Sequence, residues 1–292
     1  MKTTLFILFQ KLVPQHIISR LVGWLATSEC KHIKTLFIRW FKWKYQVDMS
    51  QALEQDPFAY KSFNDFFTRA LKPDARPFDK EKAAIISPAD GAVSQAGKID
   101  YDRVFQAKGK SFSLKALLGG SEQWASTFQN GSFATVYLSP KDYHRVHMPV
   151  DGTLLETVYV PGDLYSVNQA TAANIDELFA RNERLVCFFN TEHGPMAMIL
   201  VGAMIVAGIE TVWSGQVAPV PKQPIHTPFA TETLDQPIHL NKGDEMGRFM
   251  LGSTVILVFP EQAEIAWDKE VFAGAPLKLG QTVATYTQTQ HS

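Results

Sequence analysis

Residues 185–206 read LVCFFNTEHGPMAMILVGAMIV, two apolar runs (185–189 and 197–206) parted by a stretch that holds Gly194 and Pro195. Short runs rich in Val, Ile, Leu and Phe, bounded by Gly and Pro, read as β-strands. Runs of the same kind recur at 133–138, 153–160, 254–259 and 264–267, with Gly, Pro and Asp turns between them. This spacing predicts a mainly antiparallel β body. One short helix is expected at 173–181, where Ile175, Leu178 and Phe179 fall at helical spacing. The sequence shows no internal repeat and no low-complexity tract.

Upstream the texture changes. Ile17, Ile18, Leu21, Val22 and Leu25 lie on one helical face, and Ile33, Phe37, Trp40 and Phe41 repeat the pattern. Phe63, Phe66 and Phe67 in DPFAYKSFNDFFTR (56–69) are expected to be buried, and KPDARP (72–77) reads as a connector. The predicted fold class is therefore α+β, with N-terminal amphipathic helices followed by the β body. The expected division is a helical region with its connector over 1–77 and a catalytic body over 78–292.

The 292 residues are 46% hydrophobic, 20% charged and 12% aromatic, a composition that excludes a disordered or collagen-like chain. A net charge of −1 gives no support to nucleic-acid binding. Two cysteines, Cys30 and Cys187, make no disulfide framework, and a reducing compartment is the natural reading. The overall balance hides an asymmetry. Residues 1–47 hold eight Lys/Arg and the single acid Glu29, a net +7, whereas the remainder is −8. No apolar run in this leader approaches the roughly 18 residues of a membrane span, and no small-x-small cleavage site follows residues 5–9. Lys31, Lys34, Arg39, Lys42 and Lys44 interleaved with Trp and Phe suit an anionic membrane interface. Helices whose apolar face packs on the body would carry the same pattern.

Four positions could do chemistry. His144 and His147 form an HxxH pair in PKDYHRVHMP (140–149). A catalytic zinc would want a third protein ligand and a nearby glutamate; this stretch supplies Asp142 but no glutamate, and its flanking prolines oppose a long helix, so no metal site is assigned and acid–base work is the better use of two histidines. Asp90 sits in the turn SPADG (87–91), where aspartate before glycine is also common for backbone reasons alone. Ser253 follows Gly252 in LGST (251–254) and lacks the G-x-S-x-G elbow. A serine after an unhindered glycine carbonyl can attack that carbonyl if a base takes its proton. Lys108-Gly109-Lys110-Ser111 ends like a phosphate loop, but Val104 stands where the first glycine should be, so it reads as a basic turn.

Taken together, FNDFFTR (63–69), SPADG (87–91), YLSPKDYHRVHMP (137–149), PGDLYSVN (161–168) and EMGRFMLGST (245–254) resemble the phosphatidylserine decarboxylases, proteobacterial-type enzymes with a self-made pyruvoyl group. The resemblance spans nearly the whole chain. Met250 stands where the family pattern often has lysine, a position outside the catalytic set. The resemblance implies self-cleavage between Gly252 and Ser253, with His147 as base, Asp90 holding its imidazole, and Ser253 attacking the Gly252 carbonyl. Ser253 would become the pyruvoyl cofactor and bind the substrate amine as a Schiff base, and His144 would be the general acid that protonates carbon. The implied reaction turns phosphatidylserine into phosphatidylethanolamine. The resemblance further implies a homodimer of processed large and small chains, peripheral on the cytoplasmic face of the cell membrane. The competing class is a lipid-directed serine hydrolase that uses the same residues without self-cleavage.

Overall fold

The strand Thr254–Phe259 (TVILVF) is buried along its whole length. It lies in the middle of a nine-stranded antiparallel sheet and pairs with Ser132–Tyr137 on one side and Gly194–Val201 on the other. Successive side chains on a strand point to opposite faces. Val255, Leu257 and Phe259 enter one core with Met196, Met198 and Leu200. Ile256 and Val258 enter a second core with Ala197, Ile199 and Val201. Covering both faces explains the continuous apolar runs in place of alternation. Each buried side chain of this size contributes about 1.5–3 kcal/mol. The structure is a computed structural model and describes residues 6–10, 13–204, 208–217, 223–229, 236–250 and 254–287.

The large sheet runs Ile225–Pro228, Gly152–Val160, Arg184–Thr191, Gly194–Val201, Thr254–Phe259, Ser132–Tyr137, Gly91–Lys98 and Pro276–Leu277, with His239–Leu240 also pairing Gly152–Val160. A second sheet joins Gly215–Gln216, Ile209–Thr211, Glu245–Phe249 and Arg145–His147. A third joins Ala84–Ile86, Thr282–Tyr286 and Ile265–Trp267. The α+β reading with a mainly antiparallel body therefore holds. The 197–206 run is a strand only to Val201, and its last two residues lie outside the described ones. The helix expected at 173–181 is broken into separate turns at Gln169–Ala172 and Leu178–Arg181. Glu177 lies between them at φ 54°, in the left-handed region, which no α-helix can run through. Ile175, Leu178 and Phe179 are nevertheless all buried, so the spacing recorded burial rather than one helix. Lys108 and Gly109 turn the hairpin Arg103–Ala107/Lys110–Ser113, as the reading of a basic turn required.

In the N-terminal region, residues 6–10, Gln15–Thr27 and Lys31–Tyr45 are helical. The helical turn Phe63–Phe67 starts at a capping box, in which Ser62 and Asp65 satisfy each other's backbone N–H. Its Phe63, Phe66 and Phe67 form a third core with Ile38 and Phe41, which confirms the expected burial of the three phenylalanines. The Gln15–Thr27 helix turns a polar face inward: it buries Gln15, Ser19 and Ala26 and leaves Ile17, Leu21 and Trp24 exposed. Gln15 Oε1 accepts from the Leu164 amide at 2.7 Å, and Gln10 Oε1 accepts from the Ser166 amide at 2.8 Å. Ile17, Leu21 and Trp24 of this helix are thus left uncovered, whereas Ile38 and Phe41 of the Lys31–Tyr45 helix are buried in the third core.

Candidate active site

The turn at 87–91 joins two distant parts of the chain. The His147 amide donates to the Pro88 carbonyl at 2.9 Å, and the Ser87 amide donates to Gln281 at 2.7 Å. Gly91 is required by close approach, since a Cβ there would lie 2.3 Å from the Tyr137 carbonyl oxygen. Asp90 is almost fully buried at 2% exposure. Arg76 holds it with both arms, Nε at 2.8 Å from Oδ1 and a terminal nitrogen at 2.5 Å from Oδ2, while the Leu279 amide donates at 2.9 Å. Burial works to raise the Asp90 carboxyl, but the Arg76 hydrogen bonds and the Leu279 amide outweigh it and hold the pKa below the ordinary carboxylate range.

His147 is neutral, its pKa lowered by burial against the opposing pull of its hydrogen bond to Gly243. Its Nδ1 lies 2.7 Å from the Gly243 carbonyl, which only accepts, so Nδ1 carries the proton. Nε2 then accepts from the Tyr143 hydroxyl at 3.1 Å; burial raises that phenol and keeps it protonated. Gly243 has φ +87°, and a Cβ there would lie 2.7 Å from the Phe78 ring, so the carbonyl that orients His147 depends on glycine. Asp90 and His147 are therefore joined through the backbone of one turn. The tautomer of His147 is set by Gly243, and Asp90 is engaged by Arg76.

His144 is completely buried. Its Nδ1 donates to the Asp142 carbonyl at 2.8 Å, and the Phe67 ring packs against it, tilted by 39° with centroids 4.0 Å apart. Burial pulls its pKa down to about 3, so the ring is neutral and Nε2 is a lone pair. That nitrogen is buried without a partner among the described residues. Arg69, whose charge also lowers the His144 pKa, donates to the Lys141 carbonyl at 3.2 Å.

Gly252 and Ser253 lie outside the described residues. The chain on either side of them is anchored to the same histidine-bearing segment. The Phe249 amide donates to the His144 carbonyl at 3.1 Å, and Thr254 pairs with Tyr137. Thr254 is buried, and its Oγ1 has no partner among the described residues. The segment 137–147 thus meets the chain at Phe249 and at Thr254, and His144 Nε2 and Thr254 Oγ1 are both buried without a partner among the described residues. Sequence reasoning missed Arg76, Tyr143 and Gly243. Tyr143 was visible inside DYHRVH, but an arginine in a connector and a glycine 96 residues from His147 carry no local signal.

A family model described as phosphatidylserine decarboxylase matches residues 63–285, and a second one, described as PSD, matches residues 5–46. The phosphatidylserine decarboxylase proenzyme of Pseudomonas fluorescens strain SBW25 is 58% identical over 285 residues, covering 97% of this chain and 99% of that protein. The protein of the same name from Pseudomonas putida strain F1 is 57% identical over 289 residues, covering 99% and 100%. That of Pseudomonas entomophila strain L48 is 56% identical over 289 residues.

Proposed function

Because the chain belongs to the phosphatidylserine decarboxylase family, we propose that it converts phosphatidylserine to phosphatidylethanolamine with a pyruvoyl group made from its own Ser253. The observation that carries this reading is the anchoring of Phe249 and Thr254, on either side of 251–253, to the segment that bears His144 and His147. The group fits the residues present: in sequence a serine follows glycine directly before the buried strand Thr254–Phe259, and the histidine-bearing segment that meets the chain on both sides of it holds a buried imidazole nitrogen with no partner among the described residues. The serine-hydrolase alternative finds no support in the family match.

In processing, the Ser253 hydroxyl attacks the Gly252 carbonyl and the acyl group moves from nitrogen to oxygen. A base must take the hydroxyl proton. His147 fills this role at Nε2, whose lone pair is fixed because Gly243 holds the proton on Nδ1. Asp90, clamped by Arg76, fixes the 87–91 turn that carries the His147 backbone. Elimination and hydrolysis then leave residues 1–252 and 253–292 as two chains. When present, the pyruvoyl group supplies an electron sink for the carbanion left by loss of CO2. His144 protonates carbon only after collecting a proton at Nε2, because the buried ring is otherwise neutral.

The leader supports a peripheral site on an anionic bilayer. Among the described residues no helix is long and apolar enough to cross a membrane. Trp24 and Trp43 are each 69% exposed. An open apolar groove of about 580 Å³ lies between the two leader helices, lined by Val22, Leu25, Ile33, Leu36, Phe37 and Trp40. Such a face with flanking cations sits favourably among headgroups. It would bring the site to a lipid that cannot leave the bilayer cheaply.

The experiment is an assay of CO2 release from phosphatidylserine vesicles before and after treatment with hydroxylamine, which captures ketones. Activity should be abolished by the treatment; full activity after it overturns the pyruvoyl reading.

A further inference from the structure

Among the described residues only two carboxylates are buried, Asp90 and Glu183. Asp90 has its arginine. Glu183, only 5% exposed, has no ion-pair partner among the described residues. Its Oε2 accepts from the Tyr159 hydroxyl at 2.8 Å, and Oε1 has no hydrogen bond among them. The backbone of Glu183 is fixed by the Asp163 carbonyl and the Gly202 amide, each at 2.8 Å, so the side chain is held in place at the start of a strand. Burial raises its pKa, while the Tyr159 hydrogen bond and, more weakly, His16 in the same cleft oppose the rise. Keeping such an acid in a folded interior is unfavourable unless something offsets it.

Glu183 lines a cleft of about 1000 Å³ between the Gln15–Thr27 helix and the body. Asn64 lines the same cleft, and its Oδ1 is buried without a partner among the described residues. Met250, the last described residue before the proposed cleavage point, forms part of the wall. The cleft therefore offers two acceptor oxygens without a protein partner among the described residues, one of them a carboxylate oxygen, and reaches Met250. A primary ammonium, with three N–H donors and one positive charge, is the complementary group.

We infer that this cleft receives the primary ammonium of the substrate headgroup, with Glu183 as the carboxylate that binds it and accepts its proton. The step rests on the functional reading above. One N–H bond of the ammonium breaks, an O–H bond forms at Glu183 Oε1, and the electron pair stays on nitrogen. Only that neutral amine can attack a carbonyl carbon. Tyr159 holds the other carboxylate oxygen and fixes its orientation.

The test uses the full chain bearing Ser253→Ala, which can form no ketone, so that any amine preference comes from the cleft alone. The probes are water-soluble short-chain phosphatidylethanolamine and its N-acetyl derivative, compared by equilibrium binding. The Ser253→Ala chain should bind the free amine about tenfold more tightly or better, as expected for a charged hydrogen bond. Adding Glu183→Gln should abolish that preference and leave binding of the N-acetyl lipid unchanged. Asn64→Leu, which leaves the Glu183–Tyr159 pair intact, should reduce the preference several-fold and serves if the first variant fails to fold. Preference undiminished in both variants, or absent in the Ser253→Ala chain, overturns the inference. Parallel CO2 release by the unmodified enzyme separates the two failures: with release intact only the Glu183 role falls, and without it the functional reading falls as well.

Discussion

His144 stays neutral in the fold because burial outweighs the hydrogen bond that would favour its charged form. Above pH ~6.5 neither folded nor unfolded chain protonates this residue. Between there and the folded value of about 3, the unfolded chain binds a proton that the folded chain refuses, so stability falls as pH falls. At pH 5 this amounts to about 2 kcal/mol. His144→Asn keeps a donor for the Asp142 carbonyl and cannot titrate. Its urea-unfolding free energy should drop by about 2 kcal/mol less than that of the unmodified protein between pH 7.5 and 5; equal drops contradict the account. Asp90 carries the opposite kind of shift. Its depressed pKa adds stability above the ordinary carboxylate value that is lost as pH falls through the folded value. Arg76→Met leaves a buried carboxylate without its main cation and should cost up to about 3 kcal/mol at pH 7. The loss should be largely relieved when the unfolding titration is repeated near pH 4. Both histidines and Asp90 were legible as candidates from DYHRVHMP and SPADG. Their partners were not, because Arg76 and Gly243 meet them only through tertiary folding.

At the scale of elements, the leader helices show what hydrophobic patterning can and cannot say. The spacing of Ile17, Leu21 and Leu25 correctly marked an apolar face, yet a sequence does not state which way that face turns. It turns outward, because Gln10 and Gln15 supply the hydrogen bonds that dock the polar side on residues 164 and 166. Lys34 is also not a free cation, for it donates to the Phe58 and Tyr60 carbonyls. The useful variant therefore changes Lys31, Lys42 and Lys44 to Gln and leaves Lys34 alone. A basic residue near an anionic surface contributes about 1 kcal/mol, screened by salt. Binding to phosphatidylglycerol vesicles should weaken by up to about a hundredfold at low salt and much less at high salt, while self-cleavage is unchanged. Co-sedimentation like that of the unmodified protein at both salt concentrations would contradict the surface role. The β runs were legible because a sheet covered on both faces writes its strands as unbroken apolar stretches. The 173–181 region misled because Glu177 breaks the helix without any Pro or Gly to announce it.

Across the whole molecule, the residues after the proposed cleavage point are woven through two of the three larger sheets, the exception being the one that holds Arg145–His147. Thr254–Phe259 sits between Ser132–Tyr137 and Gly194–Val201, Pro276–Leu277 pairs with Gly91–Lys98, and Thr282–Tyr286 pairs with Ala84–Ile86. Breaking one peptide bond removes none of these ladders. The two product chains should therefore co-elute in native size-exclusion chromatography and part only in denaturant; a small chain lost under native conditions would show that the sheet does not hold it. The central claim is that Ser253 makes its own carbonyl by cutting the bond before it, and intact-mass analysis of the purified protein beside Ser253→Ala tests it most directly. The unmodified chain should give two species, residues 1–252 and a 253–292 fragment with a ketone in place of its amino terminus, and the variant one full-length species. A single uncut chain that still releases CO2, or a Ser253→Ala chain cut at the same bond, would contradict it.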